Sequence, residues 1–292
     1  MTVALLDGDI IAYQAAVYGE EEDYFGDGAP TLDRQKAFES TATQVARWTK
    51  EADAKSAVVV FSGTDNFRYE ILPTYKHNRK AEKPALYAEV VAHMEANFKF
   101  LRKNRLEADD TMGILGTSDP KRYVVVSIDK DMRTLPCRVL IPGKMPIPKL
   151  FKQVEADHYW MTQTLTGDTT DGYSGCPGIG PVKAARILEG HLKLDGMWAA
   201  VVAAYKEKGL EENDALVQAR VARILRTADF DRTTREILLW TPKSTGASAA
   251  TLISTKPGDY SVGIVVSPIS ADVREPAEGK DSKPKRRRKR SS

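Results

Sequence analysis

Hydrophobic and polar positions along the chain follow two regimes. Short β-branched runs at residues 3–6 (VALL), 57–61 (AVVVF) and 123–128 (YVVVSI) stop at polar or glycine residues, as buried strands do, and 139–141 is a weaker fourth. Between them the period becomes helical. Val45, Ala46 and Trp48 share one side of 38–51, and Leu86, Val90, Val91, Met94 and Phe98 form a stripe along 86–101. Strands alternating with helices predict an α/β domain with a mainly parallel sheet flanked by helices over 1–150. Strand patterning then ceases. Helices are expected at 150–165, 181–188, 197–206, 211–226 and 233–239, so 151–240 reads as a helical region. Residues 18–34 read as an acidic surface loop. From 241 to 292 the chain turns to Ser, Thr, Gly, Ala, Pro and Lys, which predicts a loosely ordered tail with one strand at 261–266.

Composition narrows the class. Two cysteines, Cys137 and Cys176, are too few for a disulfide framework or a thiolate metal cage. No apolar stretch approaches the roughly eighteen residues of a membrane span, and the charged start MTVALLDGDI is unlike a signal peptide, so a cytoplasmic protein is expected. The net charge of +3 hides an asymmetry. Residues 280–290 (KDSKPKRRRKR) hold eight basic side chains and one acid, leaving the rest of the chain at −4. Such a tail suits either a polyanion partner or a solvated end.

The acids carry the candidate chemistry. Ligand sites of open parallel sheets lie beyond the carboxyl ends of the strands. There the first strand delivers Asp7 and Asp9 (LLDGD) and the third Asp129 and Asp131 (SIDKD), each pair spaced to share a face in extended chain. Glu107, Asp109 and Asp110 (LEADD) open a helix, and Asp168 with Asp171 (GDTTD) would be neighbours on a helical face. Singly, each cluster reads as a cap or a turn. Together on one sheet edge they repel, and cations must neutralise them. Oxygen-only donors point to Mg²⁺ or Mn²⁺ rather than zinc, and a pair of such ions suits in-line attack on a phosphodiester.

Two further motifs fit that chemistry. In Tyr75-Lys76-His77-Asn78-Arg79, Lys76 and Arg79 could clamp a phosphate and Tyr75 could stack on a displaced base. In Gly178-Ile179-Gly180-Pro181, glycines precede a helix start whose free amides, with Lys183 and Arg186 inside the first turns, suit a DNA backbone phosphate.

In this order along about residues 1–240, LLDGD, YKHNRK, LEADD, SIDKD, GDTTDGYSG and the GIG hairpin resemble the flap endonuclease and 5′→3′ exonuclease family, in the branch of short-tailed virulent bacteriophages. The resemblance implies a PIN or resolvase-like fold, a helical arch over about 75–105 and a helix-two-turn-helix element. It implies one metal at Asp7, Glu107, Asp109 and Asp110, a second at Asp131, Asp168 and Asp171, and Asp129 near both. It also implies K⁺ held by backbone carbonyls of Gly178–Gly180. The expected activity is two-metal 5′→3′ exonuclease or flap cleavage of duplex DNA at 5′ ends, nicks or flaps, leaving 5′-phosphates. RNA–DNA hybrids are additional expected substrates, and replication proteins expected partners. Gly63 stands where relatives usually carry an Asp, and either Asp65 or a water is expected to fill that place, Asp65 ranking below the other acids. The rival class is a DNA-end binding protein that has lost its chemistry.

Overall fold

The β-branched runs become adjacent strands of one sheet. The computed structural model describes residues 1–21, 31–79, 81–243, 251–253 and 260–263. The basic stretch 280–290 and most of the predicted loop and tail lie outside them.

The strands are β1 (Val3–Asp7), β2 (Ser56–Ser62), β3 (Phe100–Lys103), β4 (Tyr123–Val126), β5 (Arg138–Leu140) and β6 (Lys149–Leu150). Strand β7 (Ile237–Leu239) pairs antiparallel with β8 (Thr251–Ile253), and β9 (Tyr260–Gly263) lies antiparallel on β3. The main sheet runs β9-β3-β2-β1-β4-β5-β6, and its central pairs β3-β2, β2-β1, β1-β4 and β4-β5 are parallel.

Both faces are covered, which is why the strand runs are continuously apolar. Ala4, Leu6, Val59 and Phe61 pack against α1 (Gly8–Gly19), α2 (Arg34–Glu51) and α4 (Tyr87–Asn97) through Ile11, Ala15, Val45, Trp48, Val90 and Met94. Leu5, Val60 and Val125 face the other way, onto α5 (Ala108–Ser118) through Ala108 and Met112. The short α3 (Arg68–Ile71) lies between β2 and α4 in sequence. A separate core is formed by α6 (Gln153–Thr166), α7 (Pro181–Leu188), α8 (Leu194–Lys206) and α9 (Glu212–Ala222), with Trp160, Trp198 and Tyr205 at its centre.

Several predicted elements change. The stripe over 86–101 breaks at Asn97, because Phe100–Lys103 leaves the helix to pair with the open edge of β2. The arch expected over 75–105 is accordingly shortened, since 87–97 is a helix packed on α1 and α2 and 100–103 is a sheet strand. The helix expected at 233–239 is a turn followed by β7. There the Asp231 carboxylate accepts the amides of Thr233 and Thr234 (2.7 and 3.1 Å), which diverts the chain from a helix. The 211–226 helix stops at Ala222 because Arg223 and Arg226 are drawn into buried pairs with Asp229 and Asp157. Helix α1 has no counterpart among the elements expected from the sequence, and the strand expected over 123–128 ends at Val126.

Candidate active site

Parallel pairing brings the carboxyl ends of β1, β2, β3 and β4 to one edge. Asp7 ends β1 and caps α1, its carboxylate accepting the Ile10 amide (3.2 Å) and the Ser127 hydroxyl (2.7 Å). Asp9 therefore sits in the first turn of a helix, not in extended chain beside Asp7. It accepts the Ser62 amide (3.0 Å) and the Tyr87 hydroxyl (3.2 Å), fastening β2 and α4 to the site. Asp129 caps a 3-10 turn (Lys130–Thr134) that contains Asp131, so this pair too is not in extended chain. The acids of this edge lie near enough for their charges to interact. Burial, then Asp9, pushes the Asp7 carboxyl up to about 7. Burial, then Asp7 and Asp129, holds Asp109 well above the usual carboxylate range. Burial and Asp129 raise Asp131 to about 7.

A cationic layer adjoins this centre. Glu107 receives Lys76, the Tyr75 hydroxyl (3.0 Å) and Arg68 (3.2 Å). Burial would raise its carboxyl, but Lys76 and Arg68 overcome that and hold it down at about 2. Asp171 binds the Tyr75 hydroxyl (3.2 Å) and Arg79 (2.6 Å), with the Lys76 ammonium 3.9 Å away. The Lys76 amide also donates to the Asp171 carbonyl (2.8 Å), docking the 75–79 turn on the loop around Asp171. That loop is not helical: Asp168 and Tyr173 exchange backbone hydrogen bonds, and the Asp168 carboxylate accepts the Thr170 amide at 2.8 Å. Lys130 reaches Asp168 at 3.4 Å.

Three expected roles are corrected. Asp110 is fully buried and held bidentately by Arg68 (2.7 and 2.8 Å), with the Leu225 amide on one oxygen (3.0 Å) and the Glu107 amide on the other (3.2 Å). Its lone pairs are spent on the fold, and it is not free to hold a metal. Tyr75 is 3% exposed, its ring in the helical core and its hydroxyl joining Glu107 to Asp171, so it offers no face for a base. Asp65 is exposed on a turn with positive φ (+55°) and does not replace the missing acid. Gly63 has its own reason: a Cβ there would stand 2.1 Å from the Lys103 carbonyl oxygen, so no acid fits. Sequence reasoning missed Arg68, because a lone arginine between Phe67 and Tyr69 gives no signal. It also missed Ser127, which orients Asp7.

The hairpin before α7 is built as expected in part. Gly178 adopts φ +72°, and a Cβ at Gly178 or Gly180 would meet open space. Gly180 gives α7 no side-chain cap and Pro181 fills its first turn, while Lys183 and Arg186 are exposed and Ile179 is anchored in the core. Lys183 donates to the Gly178 carbonyl (2.9 Å), so the chain's own ammonium stands at a carbonyl expected to face K⁺.

Comparison with known proteins agrees with this arrangement. The family described as 5'-3' exonuclease, N-terminal resolvase-like domain, matches residues 2–145. Residues 2–145 are thus similar to the amino-terminal resolvase-like domain of 5'-3' exonucleases. The exodeoxyribonuclease of Enterobacteria phage T3 is 28% identical over 83% of this chain and 93% of its own length. The exonuclease of Escherichia phage T7 is 27% identical over 82% and 93%. Two bacteriophage T5 structures share the fold: a flap endonuclease with DNA and metal ions (TM-score 0.54, 13% identity, 76% of this chain, 93% of that one) and a 5'-exonuclease with zinc (TM-score 0.55, 14%, 76% and 93%). No helix among the described residues is long and apolar enough to cross a membrane.

This exonuclease fold raises the question of a metal. Among the described residues no three His, Cys, Asp or Glu side chains are grouped closely enough to hold one ion as they stand. The donor chemistry nonetheless fits a hard cation. Asp7, Asp109 and Asp131 bear the cost of burial and then of repulsion by neighbouring carboxylates, Asp129 among them in each case, and the buried Oδ1 of Asp131 has no hydrogen-bond partner.

Proposed function

We propose that the chain is a divalent-metal-dependent 5′→3′ exonuclease with structure-directed endonuclease capacity, hydrolysing DNA phosphodiesters at 5′ ends, nicks and flaps to leave 5′-phosphates. The carrying observation is the convergence of Asp7, Asp109, Asp129 and Asp131 on one sheet edge beside Lys76 and Arg79. Mg²⁺ is the natural ion and Mn²⁺ a substitute, held by Asp7, Asp109 and Asp129, and by Asp131 with Asp168 and Asp171. Bound there, the ions would lower the pKa of a water and stabilise the attacking and leaving oxygens.

The chain's own residues do the rest. Lys76 and Arg79 now neutralise Glu107 and Asp171, and they are the groups placed to turn onto the reacting phosphate. Beside Asp9, a groove of about 1270 Å³ lined by Tyr13, Lys83, Tyr87 and Arg102 suits the single strand leaving the duplex. The amides opening α7, with Lys183 and Arg186, grip one duplex backbone without reading bases, so RNA–DNA hybrids are further substrates. The binding-only reading rested on Gly63, and the close approach of the Lys103–Asn104 backbone accounts for that glycine on packing grounds.

The test is Asp129→Asn with Asp131→Asn. Duplex binding in Ca²⁺ should persist while cleavage of a 5′-labelled duplex in Mg²⁺ falls by orders of magnitude. Undiminished cleavage would overturn the assignment.

A further inference from the structure

The stretch that leaves α9 lies against both sides of the acidic centre. Helix α9 ends at Ala222, and Arg223 and Arg226 are extended. On the Glu107 side, the Arg223 carbonyl accepts Arg68 (2.7 Å) and the Leu225 amide donates to Asp110 (3.0 Å). The Leu225 side chain joins the core cluster of Phe67 and Leu106 there. On the Asp131 side, Ile224 joins the cluster that holds Met132, and the Arg226 guanidinium donates to the Thr134 carbonyl (2.7 Å). Met132 and Thr134 belong to the 3-10 turn that carries Asp131, and the Thr134 hydroxyl donates to the Asp131 carbonyl (2.8 Å). The stretch itself is fixed from several directions. Arg226 binds the Asp157 carboxylate of α6 (2.6 Å), and its amide donates to Asp229 (2.8 Å). The chain passes so close over α5 that a Cβ at Gly113 would stand 2.3 Å from the Leu225 carbonyl oxygen.

We propose that residues 223–226 are a strap that sets the spacing of the two carboxylate groups, and that Arg226 is the positioning residue for the Asp131 half. Carboxylates that share an ion must be held to within about 0.5 Å, and groups behind them do this. Arg226 suits the task because its planar fork spends one nitrogen on Asp157 and another on the Thr134 carbonyl, joining α6 rigidly to the turn. Asp131 needs such support, since its buried Oδ1 has no hydrogen-bond partner among the described residues to orient it. Arg223 supplies the contrast. It is also buried and lies 4.3 Å from the centre of the Trp160 ring, but it spends its fork on Asp229 (2.9 and 3.1 Å) rather than on the turn.

The inference rests on the metal-binding reading, and one titration separates the two. Mn²⁺ binding to the full chain is followed by electron paramagnetic resonance of the free ion, for wild type, Arg226→Lys and Arg223→Lys. Asp168→Asn marks the ion assigned to Asp131, Asp168 and Asp171. A lysine keeps the charge but not the fork, so both lysine variants should melt earlier to a similar extent. Only Arg226→Lys should weaken the marked ion, by about tenfold, with the other ion unaltered. Its cleavage should then need more Mn²⁺ yet reach nearly the wild-type plateau. Unchanged Mn²⁺ constants in Arg226→Lys, or an equal loss in Arg223→Lys, overturn the strap. A wild-type chain that binds no Mn²⁺ fails the metal reading instead. Should Arg226→Lys not fold, Thr134→Val cuts the bond to the Asp131 carbonyl and should weaken the same ion. Unaltered constants in that variant overturn the role equally.

Discussion

Asp109 and Asp110 are adjacent in the chain yet belong to different problems. Asp110 is neutralised by Arg68, which also donates to the carbonyls of Val221 (2.9 Å) and Arg223 (2.7 Å) and so ties α3, α5 and the end of α9 together. Removing one partner of a buried pair strands the other, at a cost of about 3–5 kcal/mol. Arg68→Met should therefore lower stability in urea by that order in the presence or absence of metal. Asp109→Asn should do the reverse. It removes a repelled, half-buried charge, so the metal-free protein should melt higher while the stabilisation by added Mn²⁺ shrinks and cleavage is lost. Equal melting of Asp109→Asn and wild type without metal would contradict the crowding of the site. The LEADD motif located the cluster but could not apportion it, because the arginine that claims Asp110 lies 42 positions away in sequence. Tyr75 was misread for the same reason: its motif looks exposed, and only the docking of its turn on the loop around Asp171 buries it.

At the scale of elements, legibility followed burial. Strands β1, β2 and β4 announced themselves because apolar cover on both faces leaves no room for polar alternation. Strand β3 was hidden because Phe98 prolongs the stripe of α4 up to its start, and what decides the break is the unpaired edge of β2, a tertiary fact. The hairpin before α7 was legible in its glycines but not in its charge balance. With the Lys183 ammonium on the Gly178 carbonyl, a monovalent ion has less to supply. Exchanging K⁺ for Na⁺ at fixed ionic strength should change duplex affinity by less than about twofold, since the counterion term is then unaltered. Lys183→Met, which frees that carbonyl, should bring out a preference for K⁺ in the same titration. A strong K⁺ requirement in the unaltered chain would refute this role for Lys183.

For the molecule as a whole, the acidic centre couples folding to protons and metal. Asp7 and Asp131 titrate near 7 in the folded chain and Asp109 is raised as well, whereas an unfolded Asp titrates near 3.9. Between about pH 4 and 7 the folded state thus holds more protons than the unfolded state, and stability falls as pH rises through that window. Glu107, held at about 2, gains its stabilisation below this window and leaves the slope above pH 5 alone. His93, which burial lowers, works in the opposite sense as a single partly exposed group against three acids. The metal-free chain should therefore melt at a higher temperature at pH 5.5 than at pH 7.8. Added Mg²⁺ or Mn²⁺ competes with those protons, so its stabilisation should be small at pH 5.5 and large at pH 7.8. Replacing Asp7 and Asp131 by Asn should flatten the metal-free dependence and abolish the metal's pH-dependent increment together. A melting temperature that instead climbs with pH without metal would mean that the acids do not crowd one another, and the case for a cation among them would lose its physical basis.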